Sequence, residues 1–122
     1  MILVDTSVWI HHFRSGNPRL RELLQEGEVA IHPMVIGELA CGNLAKRAEI
    51  LRLLGHLPRI PQASDHLVLQ SIESRRLFGK GIGWIDAHLL SASLLSSVPL
   101  WTLGPALGRT SLRRHRLCGV ID

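Results

Sequence analysis

The chain contains no tyrosine, two cysteines and two lysines, and only five of its 122 residues are aromatic. Each scarcity excludes something. Cys41 and Cys118 fit neither a paired metal-ligand spacing nor a secreted disulfide framework, so both are expected as free thiols in a reducing, cytoplasmic setting. No apolar run approaches the ~18 residues that span a bilayer, so no membrane association is expected. No basic stretch precedes the apolar run Met1–Val4, which reads as a buried strand rather than a signal peptide. Seven histidines are present, but no His-x-x-x-His pair occurs, and the adjacent His11 and His12 project to different helix faces, so a zinc site is not expected. The few aromatics, Trp9, Phe13, Phe78, Trp84 and Trp101, are expected mostly in the core, which argues against an extended base-stacking platform. Repeats, low-complexity linkers and shifts of composition are also missing. Residues 1–122 are therefore expected to form a single domain, long enough to bury roughly two-thirds of its extended surface.

What is there is arginine and a set of oddly placed acids. The net charge is +4, and twelve of the fourteen basic residues are Arg. Arg pairs with phosphate through a planar fork and stacks on bases, which makes nucleic acid the leading candidate partner. Apolar stretches at about 2–5, 28–31 and 98–101 read as strands, with a weaker one near 118–121. Helical patterns fill the intervals: Ser7–Phe13, then Asn17 to about Gln25, opened by an Asn cap and a first-turn Pro. Further patterns run from Pro33 to near Gly42, Leu44–Leu54, Ser64–Phe78 and Gly83–Ser96. Strands alternating with helices predict an α/β fold with a parallel sheet covered on both faces. In such sheets ligands bind beyond the carboxyl ends of the strands.

Asp5 lies at such an end, after Ile2-Leu3-Val4. The same residue could simply cap the next helix, but Asp5-Thr6-Ser7 offers three caps where one suffices. Glu38 sits in Pro33-Met-Val-Ile-Gly-Glu-Leu-Ala-Cys, on the flank of an apolar face made by Val35, Ile36, Leu39 and Ala40; the plain alternative is an exposed edge residue in a surface ion pair. Asp86, in Ile82-Gly-Trp-Ile-Asp-Ala-His-Leu-Leu, falls inside the apolar sector of a helix that is apolar nearly all round. Its alternative is a first-turn acid favoured by the helix dipole. Carboxylates in core-like sequence are costly to bury and are usually paired or metal-bound. If the three converge, two charges ~4 Å apart repel by about 4 kcal/mol at an effective dielectric near 20. Either a proton or a cation must relieve them, and all-oxygen ligands favour Mg²⁺ or Mn²⁺.

Val4-Asp5-Thr6-Ser7-Val8-Trp9, Val35-Ile36-Gly37-Glu38-Leu39 and Gly83-Trp84-Ile85-Asp86-Ala87-His88-Leu89-Leu90, in that order, resemble the PIN-domain toxins of VapBC type II toxin–antitoxin pairs. The resemblance implies a three-layer α/β/α sandwich around a mainly parallel sheet of four to five strands. It also implies a Mg²⁺- or Mn²⁺-dependent endoribonuclease that hydrolyses RNA phosphodiesters with a metal-activated water. Asp5, Glu38 and Asp86 would be the catalytic, metal-binding acids, with Thr6, Ser7 and Thr102 in support. A homodimer and a VapB-like antitoxin partner are implied as well. One departure stands out: Gly104 takes the place where such toxins commonly carry a fourth acid. A catalytically weakened domain that only binds RNA or antitoxin is therefore the alternative. A phosphatase of the haloacid dehalogenase kind is disfavoured, because it wants a second Asp where Ser7 stands. Arg75, Arg76, Lys80, Arg109 and Arg113 are candidate RNA contacts, against the plain reading of a solvated basic face.

Overall fold

Ile2–Val4 can bury both faces of a strand, and in the structure it forms β1, the centre of the sheet. The structure, a computed structural model, describes residues 1–114, with side chains to residue 110. β1 is flanked by β2 (Val29–Ala30) on one side and β3 (Leu100–Trp101) on the other, both parallel to it. The order is therefore β2-β1-β3. Among the described residues the sheet has three strands, where four to five were expected. A single parallel bridge between Ile31 and Arg59 extends it beyond β2 without making a strand. The weak strand expected near 118–121 lies outside the described residues.

The helices follow their caps. α1 (Thr6–Ser15) starts at Asp5, whose side chain accepts from the Thr6 amide. α2 (Pro18–Gln25) is capped by Asn17 and has Pro at its first position, as the sequence predicts. α3 (Pro33–Cys41) is capped by His32, whose Nδ1 accepts from the Met34 amide at 3.0 Å. α4 (Arg47–Leu54) begins later than Leu44, because Lys46 takes a left-handed conformation with φ 52°. α5 (Asp65–Ser74) is capped by Ser64, and α6 (Trp84–Ser96) follows Gly83. α7 (Pro105–Arg114) was not expected; the sequence shows only a basic tail there.

The helix expected over 64–78 stops at Ser74. Arg76 turns left-handed at φ 52°, its amide bonds to the Glu73 carbonyl, and the Leu77 amide bonds back to the Ile72 carbonyl. This is the paired closure of a Schellman motif, with Arg where Gly usually stands. The turn sends Leu77 into the core (2% exposed) and Phe78 out (59%). Gly79, read from sequence as the stop, lies beyond the real one.

The core gathers Leu3, Val4, Val29, Ile31, Leu100 and Trp101 from the sheet region with Val8, Leu20, Leu89 and Leu90 from the helices. Each fully buried Leu or Val contributes about 1.5–3 kcal/mol relative to exposure. α1 packs on α3, α3 on α4, α5 on α6, and α6 on β3. Trp9 and Trp101 are buried as expected, whereas Phe78 and Trp84 are exposed, contrary to the expectation that the aromatics are core. No helix among the described residues is long and apolar enough to cross a membrane.

Candidate active site

The parallel strands β1 and β3 end side by side, and the residue after each is polar and buried: Asp5 after β1 and Thr102 after β3. Burying the Asp5 carboxylate without partners would be costly. It has three. Its Oδ1 accepts from the Thr6 amide at 2.8 Å. Its Oδ2 accepts from the Ser7 hydroxyl at 2.8 Å and from the Thr102 hydroxyl at 2.7 Å. Both hydroxyls are themselves fed by backbone: the Leu103 amide donates to Ser7 Oγ at 3.0 Å, and the Gly104 amide to Thr102 Oγ1 at 2.9 Å. A hydroxyl that receives a donor on its oxygen is aligned to give its own proton onward, here to Asp5. Asp5 thus serves both readings weighed from sequence, as helix cap and as a fixed inward carboxylate.

Gly104 has its own reason to be small. A Cβ there would stand 3.3 Å from Thr102 Oγ1, tight against the hydroxyl that bonds Asp5. Its backbone amide, which any residue but proline would supply, bonds that same hydroxyl.

Glu38 reaches this corner through Thr6, whose hydroxyl donates to Glu38 Oε1 at 2.6 Å. Glu38 is exposed, as its plain alternative held, but the recorded ion pairs among the described residues do not include it. Asp86 is half-buried in the first turn of α6, and its Oδ2 accepts from the Gly83 amide at 3.1 Å. Burial pushes its carboxyl above the ordinary value; the Gly83 amide pulls it back, and the charge of Asp5 pushes it up further. Asp86 thus senses the charge of Asp5.

The structure therefore joins Asp5, Thr6, Ser7, Glu38 and Thr102 in one hydrogen-bonded network and brings Asp86 within electrostatic range. It does not gather them into a ready-made metal cage: among the described residues no three His, Cys, Asp or Glu side chains stand that close. Among the described residues one carboxylate oxygen each of Glu38 and Asp86 has no protein donor, and an all-oxygen set of this kind suits a hard cation that keeps several waters.

The basic candidates fall on two segments of the chain. Arg75, Arg76 and Lys80 precede α6, and Arg109 is exposed on α7. The loop and α7 touch, since a Cβ at Gly81 would lie 3.4 Å from Ala106 Cβ. The Arg113 side chain lies outside the described residues. Cys41 is an exposed free thiol, and Cys118 also lies outside the described residues.

Sequence reasoning missed two buried histidines. His32 and His88 are fully buried and meet edge to face, with ring centroids 6.0 Å apart. One caps the helix that carries Glu38, and the other sits on the helix that carries Asp86. Burial and then the neighbouring His88 lower the His32 pKa to about 4. His88 Nε2 stands 3.1 Å from Asp65 Oδ1, but without the alignment of a hydrogen bond. His32 before Pro33 was a legible cap signal, because an imidazole nitrogen can accept from a helix amide as an Asn side chain does.

Residues 2–111 match the PIN domain family. Ribonuclease VapC32 of Mycobacterium tuberculosis strain CDC 1551 / Oshkosh is 48% identical over 103 residues, covering 84% of this chain and 83% of that relative. The protein of the same name from strain ATCC 25618 / H37Rv matches to the same extent. A family match over nearly the whole chain, together with a relative of this identity and coverage, places the protein among the VapC-type PIN-domain proteins.

Proposed function

We propose that the protein is an RNA-cleaving toxin, a Mg²⁺- or Mn²⁺-dependent endoribonuclease whose metal-holding residues are Asp5, Glu38 and Asp86. The observation that carries this reading is the Asp5 corner, a buried carboxylate at the carboxyl end of the sheet, linked to Glu38 through Thr6 and sensed by Asp86. Burial is the main cause of the upward push on Asp86 and the charge of Asp5 adds to it, so a bound cation would favour the ionised form. The relatives' printed name, ribonuclease, agrees with this chemistry.

When bound, the cation would supply charge neutralisation at the scissile phosphate and acidify a water. The chain's own residues do the rest. Ser7 and Thr102 hold Asp5 Oδ2 in one orientation, Thr6 holds Glu38 by one oxygen, and Gly83 holds Asp86 by one. Each acid thus keeps at least one lone pair committed to the protein, which fixes its direction. Arg75, Arg76, Lys80, Arg109 and Arg113 would hold phosphates and set position rather than sequence. With Gly104 in place of a fourth acid, a second cation would lean on water and RNA. The proposal includes a VapB-like antitoxin partner, which the VapC likeness supports, and a homodimer.

The test is cleavage of total cellular RNA, wild type beside Asp5→Asn, in Mg²⁺ and in chelator. Fragments are expected only from the wild type with metal. Equal cleavage by Asp5→Asn sinks the site assignment. RNA binding without cleavage at any metal concentration favours the weakened binding domain that Gly104 leaves open.

A further inference from the structure

We propose that Phe78 and Trp84 form a stacking subsite for one unpaired nucleobase of the RNA, directly beside Asp86; this rests on the ribonuclease reading above. Phe78 is 59% exposed and Trp84 40%, while Trp9 and Trp101 are no more than 2% exposed. The two exposed rings are not scattered. With Ile72, Ile82 and Gly83 they line one pocket of about 160 Å³. Gly83 is also the residue whose amide bonds Asp86 Oδ2, so the pocket and the candidate catalytic acid share a wall.

Trp84 is held ready. Its ring stands edge to face on His88, with centroids 4.6 Å apart and planes at 85°. His88 is fully buried, so it anchors the indole from below while leaving part of it to solvent. A ring already fixed loses little freedom when a base stacks on it. Arg75, Arg76 and Lys80 lie on the same loop, and none of them is in an ion pair among the described residues. Aromatic faces among free cations are the combination that single-stranded nucleic acid requires. The same charges disfavour a second copy of the chain as occupant, because a two-fold contact centred here would set Arg and Lys against their own copies. Since a base must leave its helix to stack on a side chain, the subsite selects unpaired nucleotides next to the scissile phosphate.

Trp84 is the one exposed tryptophan of three, so its fluorescence reports the site. The experiment titrates wild-type protein, in chelator to prevent cleavage, with a short single-stranded oligoribonucleotide. Comparators are the same strand in duplex and a strand carrying one abasic position. Quenching is expected with the intact single strand and is expected to weaken with the other two. Phe78→Ala and Trp84→Ala should each raise KM for cleavage by about 5- to 100-fold with kcat nearly unchanged, and Trp84→Phe should restore most of the loss. Cleavage by both alanine variants with unaltered KM overturns the subsite and leaves the ribonuclease standing. Quenching without cleavage in any metal sinks the ribonuclease and leaves base binding intact. Alanine variants that cleave normally but change from dimer to monomer in sedimentation overturn the proposal and assign the patch to a second copy.

Discussion

Asp5 and Asp86 are the same residue type at one end of the molecule, and they are held in opposite ways. Asp5 is buried under one amide and two hydroxyls, with each hydroxyl aligned by a further amide. Asp86 is half-buried, has one amide, and has its pKa pushed upward. Asp5 itself is buried, although its neighbours Ser7 and Gly104 are half-buried and Leu103 is exposed; Asp86 sits on the helix that opens with the exposed Trp84. The fold thus gives one carboxylate three protein donors and the other, among the described residues, one.

The same substitution on the two sides should break this symmetry most sharply. Asp5→Asn removes a charge-assisted acceptor from three donors, whereas Asp86→Asn removes a charge its surroundings resist. In metal-free buffer at neutral pH, Asp5→Asn is expected to lower the Tm, and Asp86→Asn to leave it unchanged or raise it. Both should lose cleavage. For Asp5→Asn the loss should be on the order of 10³-fold, since an electrostatic term of several kcal/mol is removed and each ~1.4 kcal/mol is tenfold in rate. Thermal shifts of the same sign for both variants would contradict the comparison.

The second prediction concerns His32, which caps the helix of Glu38 and touches the helix of Asp86. Its folded pKa of about 4 lies below the ordinary value of 6.5, so the folded state resists its proton. The stability this represents is full above pH 6.5 and is lost as pH falls from 6.5 toward 4, by about 3 kcal/mol if the whole shift is expressed. His32→Asn keeps an acceptor for the Met34 amide and removes the titration. Denaturant melts from pH 7.5 to 4 should show a shallower loss for the variant, and parallel curves for the two proteins would refute the assignment.

A third prediction tests the floor itself. Thr102→Val deletes a hydroxyl that serves a buried carboxylate and leaves the Gly104 amide unpaired, at a cost of about 2 kcal/mol. Thr6→Val deletes a hydroxyl bonded to an exposed glutamate and should cost well under half as much, with the loss showing in cleavage rather than in melting. Equal destabilisation by the two would mean that Asp5 is no more firmly held than Glu38.

How far the sequence could be read follows the same division. Asp5, β1 and the first-turn prolines were legible, because a strand end, a cap and a fixed φ are written in adjacent residues. The link from Asp5 to Thr102 joins residues 97 apart, and no local pattern carries it. Gly104 stands where the resemblance places a fourth acid; that its amide also donates to Thr102 Oγ1 becomes visible only once the amide has a direction. Phe78 read as the end of a helix opened at Ser64, with Gly79 just beyond it as a ready stop signal. The helix ended earlier because burying Leu77 required the turn at Arg76, and that tertiary demand outweighed the local signal.

Arg76 supplies the smallest and most discriminating prediction. A non-glycine residue in the left-handed region costs roughly 1–2 kcal/mol. Arg76→Gly should recover part of that strain, less the entropy that glycine adds to the unfolded chain, for a net gain of up to about 1 kcal/mol. The same change removes an exposed cation from the loop that carries Phe78 and leads to Trp84, so RNA affinity should fall as stability rises. Added salt should shrink the difference in affinity and leave the difference in melting in place, since screening acts on the phosphate contact and not on φ. If Arg76→Gly is both less stable and unchanged in RNA binding, the arginine is there for the fold. If stability and binding move in opposite directions, the rim of the site carries backbone strain for the sake of a ligand, as the floor around Asp5 does not.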